Sequence, residues 1–202
     1  MLNPILNSNL SLETIYFWLV GLLLAITFHE AAHAWVADKL GDKTPRYMGR
    51  VNLNPLAHLD PVGTLLILFA GFGWGKPVQF NPLSLRNPAL GAALISLAGP
   101  LTNFILAGVF AILIRLEIAP LNLWAQIAAI NIMLGVFNLV PFAPLDGEKV
   151  VGGLLPPSLR AGWSSIQAYG IFYLIAFIFL AGPLLGRVIN IIFTILTGQS
   201  FR

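Results

Sequence analysis

The sequence predicts an all-α polytopic membrane protein with four to five transmembrane helices and a small membrane-associated β or re-entrant segment at about 45–85. Composition is the first reason. Of 202 residues, 57% are hydrophobic and 9% charged, against roughly 25% charged in a soluble domain. With a mean hydropathy of +0.84, the chain has too few charges to coat a water-facing surface. The second reason is that four stretches are apolar over, or nearly over, the roughly 20 residues that cross a bilayer. The third is residues 38–88, which break that pattern with prolines, glycines and alternating polar residues. A soluble enzyme, a disordered tail and a disulfide-stapled module are excluded. The lack of cysteine also excludes a cysteine zinc site, an iron–sulfur cluster and a thiol nucleophile. The net charge of +3 comes from scattered basic residues, so no nucleic-acid partner is expected.

One domain is expected over 1–202. Its first helix, at about 15–37, is interrupted only by Thr27, His29, Glu30 and His33. Further helices are expected at about 89–115, 121–140 and 164–181. The short stretch 184–197 carries Arg187 and Asn190 after Gly182-Pro183, and reads as a tilted span or an interfacial helix. Residues 1–14 hold no Lys or Arg, so a cleavable signal is not expected. Within 38–88, residues 46–55 (RYMGRVNLNP) approach a period-2 alternation and read as a strand, as do 77–83 (PVQFNPL). Between them, 62–74 is apolar but short and ends at Gly71, Gly73 and Gly75, which favours a re-entrant element. If it does not cross, one side collects Lys39, Lys43, Arg46, Arg50, Lys76, Arg86, Lys149 and Arg160, eight of the eleven basic residues. The positive-inside bias then places 38–88 and 141–162 in the cytoplasm.

The first helix contains His29-Glu30-Ala31-Ala32-His33, the HExxH pattern. Residues four apart share a helical face, so two imidazoles converge on one Zn²⁺ with the glutamate beside it. Three ionisable side chains inside a membrane helix are costly and mark a functional site by default. A buried polar network is the plain structural alternative. Gly21 and Ala25 continue the histidine face as a small-residue stripe on which another helix can pack. A zinc site of this kind needs a third protein ligand. The extended HExxHxxGxxH pattern fails at Val36 and Lys39, and no Glu occurs between Ala31 and Leu116. Asp38 faces away, and Glu117 lies at the outer end of its helix. Asp146 is favoured, since Pro141 and Pro144 break the chain after the third span; His58, Asp60 and Glu148 stand behind it.

With these residues in place, the sequence resembles the site-2 protease family of intramembrane zinc metalloproteases. The resemblance rests on HEAAH in the first helix, AGPLTN (98–103) in the second and NLVPFAPLDG (138–147) after the third. GRVNLNPLAHLDPVG (49–63) followed by GWGKPV (73–78) looks like the compact prokaryotic branch without PDZ or CBS modules. Many relatives carry proline where Ala143 stands.

The resemblance implies hydrolysis of a peptide bond within or beside a membrane span of a transmembrane protein substrate, near the cytoplasmic side of a prokaryotic cell membrane. It implies one Zn²⁺ per chain held by His29, His33 and Asp146, with Glu30 as general base and then proton donor. Such an ion polarises a carbonyl and lowers the pKa of water, while a nearby carboxylate shuttles protons. Asn138 would donate to the oxyanion, or else pack on the face it shares with Asn131 and Gly135. Asn103, on the Gly99–Asn103–Ala107 stripe, reads first as a packing or backbone-bonding residue and second as a substrate contact. His58 and Asp60 read as a cap or local network, with His58 near the substrate as the alternative. Val78 and Phe80 lie where an extended substrate would add to a strand edge. The competing functions are a metal or proton transporter, which would want polar residues along several spans, and a catalytically inactive scaffold. The oligomeric state is unreadable from the sequence.

Overall fold

Ser11 opens the first long helix, α1 (Leu12–Lys39), by accepting a hydrogen bond from Thr14 N at 3.2 Å. Glu13 in its first turn and Lys39 in its last complement the helix dipole. The chain, in a computed structural model that describes residues 11–70 and 73–199, has four long apolar helices. They are α1, α5 (Pro88–Arg115), α6 (Leu121–Asn138) and α9 (Gly170–Thr197), each long and apolar enough to cross a membrane. The expectation for the extreme N-terminus, and the turn at Gly71, lie outside the described residues.

Between α1 and the second span come three short helices, α2 (Thr44–Tyr47), α3 (Pro55–His58) and α4 (Pro61–Ala70). The strand expected at 46–55 is not there. Its polar alternation belongs to turns that satisfy their own backbone. Asn52 Oδ1 accepts from Asn54 N at 2.7 Å, Asn54 Oδ1 accepts from Leu56 N at 3.1 Å, and Gly49 adopts φ +66°. Residues 77–81 belong to no helix or strand, Asn81 being extended, and 82–84 form a 3₁₀ turn. The described residues contain one isolated antiparallel bridge, Leu59 to Gly75, and no sheet. Pro77 and Pro82 remove donors that a strand would need.

The second span, α5 (Pro88–Arg115), begins with Asn87 capping Leu90 N and Pro88 in the first turn. It is the central helix: α1, α6 (Leu121–Asn138) and α7 (Asp146–Leu154) all pack on it. Small residues let them approach. A Cβ at Gly21 would sit 2.8 Å from Ile130 Cδ1, which makes Gly21 the contact of α1 with α6. Ala107, Ile114, Ala128, Ala129, Ile132 and Phe193 form one buried cluster, and Trp18, Ala25, Ile26 and Ile130 a second.

After α8 (Pro157–Gln167), the last helix, α9 (Gly170–Thr197), is continuous. The break expected between 164–181 and 184–197 does not occur. Gly182 and Gly186 stand in open space, and Pro183 is absorbed within the helix, as lipid-facing helices allow. Arg115 Nε and Nη2 donate to Leu196 O and Ile195 O at 2.6 and 2.7 Å. The C-terminal ends of α5 and α9 therefore meet, at the end of the bundle opposite Asp146.

Candidate metal centre and catalytic cleft

His29 and His33 sit on one face of α1, with His29 about 15 Å from its Lys39 end at 1.5 Å per residue. Both are buried, and their rings meet edge to face with centroids 4.6 Å apart. Each Nδ1 is held from outside. His29 Nδ1 lies 2.6 Å from Asn103 Oδ1, and His33 Nδ1 lies 2.7 Å from Ile95 O. Since both partners are oxygen acceptors, each Nδ1 carries a hydrogen, which leaves each Nε2 as the nitrogen available to a metal. Both Nε2 atoms face the same oxygen, Asp146 Oδ2, at 3.1 and 3.2 Å. Those edges are close to the about 3.3 Å edge of a tetrahedron with roughly 2.0–2.1 Å bonds to zinc. Two imidazoles and a carboxylate are also a donor set of catalytic zinc sites. His29, His33 and Asp146 are the group of His and acidic side chains, among the described residues, able to hold a metal ion.

Asp146 reaches this point through the broken chain after α6. It is the first residue of α7, where the helix N-terminus favours a carboxylate. Gly147 fits because its α-carbon lies against Leu139 O and Val140 O, with no room for a Cβ. Gln167 of α8 clamps the loop: its Oε1 accepts from Ala143 N at 2.9 Å and its Nε2 donates to Pro141 O at 3.1 Å. Gly99 on α5 makes the corresponding room for the histidines, since a Cβ there would lie 2.5 Å from His33 Nε2 and 2.7 Å from His29 Cε1.

The three residues line a cleft of about 420 Å³ together with Glu30, Trp74, Val78, Phe80, Asn138 and Lys149. Glu30 Oε2 accepts from Val78 N at 3.1 Å and lies 4.0 Å from Arg50 Nη2. Asn138 donates to Leu134 O at 3.0 Å, which leaves one amide hydrogen for the cleft. Lys149 Nζ lies 5.6 Å over the Phe80 ring.

Asn103 and His58, each with substrate contact as its second reading, do not line the cleft. Asn103 is fully buried; its Nδ2 donates to Ala25 O at 3.1 Å and Asn131 Oδ1 at 2.9 Å, so its oxygen is fixed on His29. It touches backbone as expected, and also the imidazole, but not the cleft. His58 is likewise fully buried, with Nε2 donating to Asn52 O at 2.8 Å. Burial lowers its pKa, with the Asn52 carbonyl opposing. It belongs to the local network, as does Asp60, whose Oδ1 caps Gly63 N at 2.8 Å. Arg50, which the sequence marks only as one more positive charge, is 3% exposed beside Glu30. Burial lowers its pKa, and the charge of Glu30 opposes that shift.

Comparison with known proteins places this geometry. The model of peptidase family M50 matches residues 115–180, which contain Asp146 and its loop. A Bacillus subtilis protein, YwhC, is 39% identical over 175 residues, 80% of each chain. The chain belongs to peptidase family M50. This is the site-2 protease family, and the chain is a multi-pass membrane metalloprotease of it. YwhC and the Rip2 protein of Mycolicibacterium smegmatis are both named "Putative zinc metalloprotease"; the latter is 29% identical over 182 residues, 84% of this chain and 68% of its own. "Zinc metalloprotease MJ0392" of Methanocaldococcus jannaschii is 28% identical over 145 residues, 69% of this chain and 35% of its own. No solved structure matches the M50 chain.

Proposed function

We propose that this M50 protease acts as one domain that hydrolyses a peptide bond within or next to a transmembrane segment of a membrane protein, near the cytoplasmic side of a prokaryotic cell membrane. His29, His33 and Asp146 hold one Zn²⁺, and Glu30 is the general base. The observation that carries this reading is the convergence of both Nε2 atoms on Asp146 Oδ2 while both Nδ1 atoms are locked by carbonyl oxygens. Zinc at this place supplies a Lewis acid that polarises a carbonyl and acidifies water. Glu30, open to the same cleft, takes the proton of the attacking water and returns it to the leaving amine nitrogen. Asn138 offers its remaining amide hydrogen to the oxyanion.

A membrane helix hides its carbonyls in its own hydrogen bonds, so cleavage needs an extended stretch of substrate. Segment 77–81, with Val78 and Phe80 in the cleft wall, is the edge to which that stretch would add. The cytoplasmic orientation is supported by Lys39, Lys43, Arg46 and Arg50, which follow the α1 end nearest the histidines. A re-entrant α4 is supported by its ten residues, about 15 Å, and by the return of Trp74 O to Gly63 in its first turn.

The test is zinc per protein in detergent for wild type, His29→Ala and Asp146→Ala, with cleavage of a membrane-helix reporter by wild type and Glu30→Gln. One zinc in wild type, loss in both ligand variants, and a zinc-loaded but inactive Glu30→Gln protein are expected. A folded wild type without zinc, or an active Glu30→Gln variant, refutes the assignment.

A further inference from the structure

We propose that Arg50 is a positioning residue that ties the catalytic carboxylate of Glu30 to segment 76–78 beside it. This rests on the reading of Glu30 as the base. Arg50 lies outside the cleft wall, directly behind it. Its Nη2 donates to Lys76 O and lies 4.0 Å from Glu30 Oε2. Two residues further along the same segment, Val78 N donates to that same oxygen at 3.1 Å. Segment 76–78 is thus held by its carbonyl at Arg50 and holds Glu30 by its N–H. The guanidinium closes the third side of this arrangement.

The surroundings fix Arg50 rather than the reverse. Arg50 N donates to Pro45 O at 2.8 Å, and the Asn52–Asn54 turns set the path to His58. His58 O then accepts from Lys76 N at 2.8 Å, beside the Leu59–Gly75 bridge. One rigid turn, 49–59, therefore delivers both the guanidinium and the anchor of segment 75–76. A purely structural plug at this position would be better served by an apolar side chain. Arg50 Nε and Nη1 are buried with no hydrogen-bond partner among the described residues, and replacing buried charge by apolar packing is often neutral or stabilising. What an apolar residue lacks is the Nη2 donor for Lys76 O and the positive charge 4.0 Å from Glu30 Oε2. Lysine keeps the charge and a donor, on a stem of different shape.

The consequence is for turnover. A misplacement of about 1 Å at a reacting group can lower the rate by about 10²-fold. Arg50→Met and Arg50→Lys are compared with wild type and Glu30→Gln in proteoliposomes, with zinc content, kcat and KM measured on the same membrane-helix reporter. Arg50→Met is expected to keep its zinc and lower kcat by about 10- to 100-fold with KM changed less than about threefold. Arg50→Lys is expected to recover part of kcat. Wild-type kcat in Arg50→Met, or a change confined to KM, overturns the inference, as does zinc loss in both Arg50 variants, which would make Arg50 a fold residue. The control separates the two readings. An active Glu30→Gln protein removes the base and this inference with it. An inactive Glu30→Gln beside a fully active Arg50→Met removes the inference alone.

Discussion

A single added methyl group at Gly99 tests the metal centre from the side opposite its ligands. The position is on α5, pressed against both imidazoles of α1. A Cβ there would lie 2.5 Å from His33 Cε1 and Nε2 and 2.7 Å from His29 Cε1, where ordinary contact begins at 3.4 Å. Relief requires a shift of about 1 Å, and metal–ligand distances tolerate about 0.2 Å. The rings cannot rotate away freely, because each Nδ1 is bonded to an acceptor, Asn103 Oδ1 and Ile95 O, both on the same helix as Gly99. Gly99→Ala is therefore expected to weaken zinc binding at least as much as the about 10- to 100-fold that follows loss of an outer hydrogen bond. Each tenfold corresponds to about 1.4 kcal/mol. The assay is chelator competition on purified protein, with Gly108→Ala as the control on the same helix, since nothing lies within 4 Å of a Cβ there. Zinc affinity within threefold of wild type in a folded Gly99→Ala protein would refute the geometry of the site.

Three further perturbations separate the roles of neighbouring groups. Asn103→Leu removes the acceptor of His29 Nδ1 and the donor to Asn131 Oδ1; zinc affinity should fall about 10- to 100-fold, whereas an unchanged chelator titration would mean that the imidazole needs no such partner. Val78→Pro deletes the N–H that holds Glu30 and disrupts the proposed edge, so reporter cleavage should drop while zinc content stays at the wild-type level; undiminished cleavage would remove segment 77–81 from the mechanism. Asp42 accepts from Thr44 N, Thr44 Oγ1 and Asn81 N at 3.0, 2.6 and 2.6 Å. Burial raises its pKa, but those hydrogen bonds outweigh it and hold it below its ordinary value of 3.8. Its stabilising effect is thus full above that value and fades as pH falls through the lower, folded one. Asp42→Asn should cost about 1–3 kcal/mol at pH 7 and shrink the Tm gap between pH 7 and about pH 3; equal Tm values at pH 7 would contradict this.

What the sequence makes legible follows from how local the signal is. The four spans rest on composition, and the histidine pair on one helical turn; both can be read without knowing the neighbours. Asp146 is favoured in the sequence because few candidates remain once the extended pattern fails at Val36 and Lys39, and the structure brings its Oδ2 to both Nε2 atoms. The misread elements are those in which one local pattern has two physical causes. Polar residues alternate at 50, 52 and 54 in a strand, and equally in consecutive turns whose side chains bond their own backbone. Gly182-Pro183 stops a helix in water but not one surrounded by lipid. Asn103 could be placed on a packing stripe, yet its bond to His29 spans 74 residues and depends on the relative depth of two helices. Ile95 O has no residue-type signature at all, since any residue there offers a carbonyl.

The same bonds explain how a bundle of apolar helices accommodates two histidines without losing their function. In a bilayer an unsatisfied polar group costs several kcal/mol, so each imidazole must spend one nitrogen on the protein. The chain uses Nδ1 for this, on Asn103 and Ile95 O, and points Nε2 at Asp146. Asn103 is in turn held by Ala25 O and Asn131, and Asn131 by Ile127 O at 2.9 Å. The polar chain thus runs from the cleft through α5 into α6 and ends on helix backbone, with the side-chain groups along it paired. An orientation fixed in this way belongs to the folded bundle itself. The donor atoms are pre-aimed by helix packing, so a bound ion would not have to organise them. Donors aimed in advance would lower the ordering cost of binding a metal there.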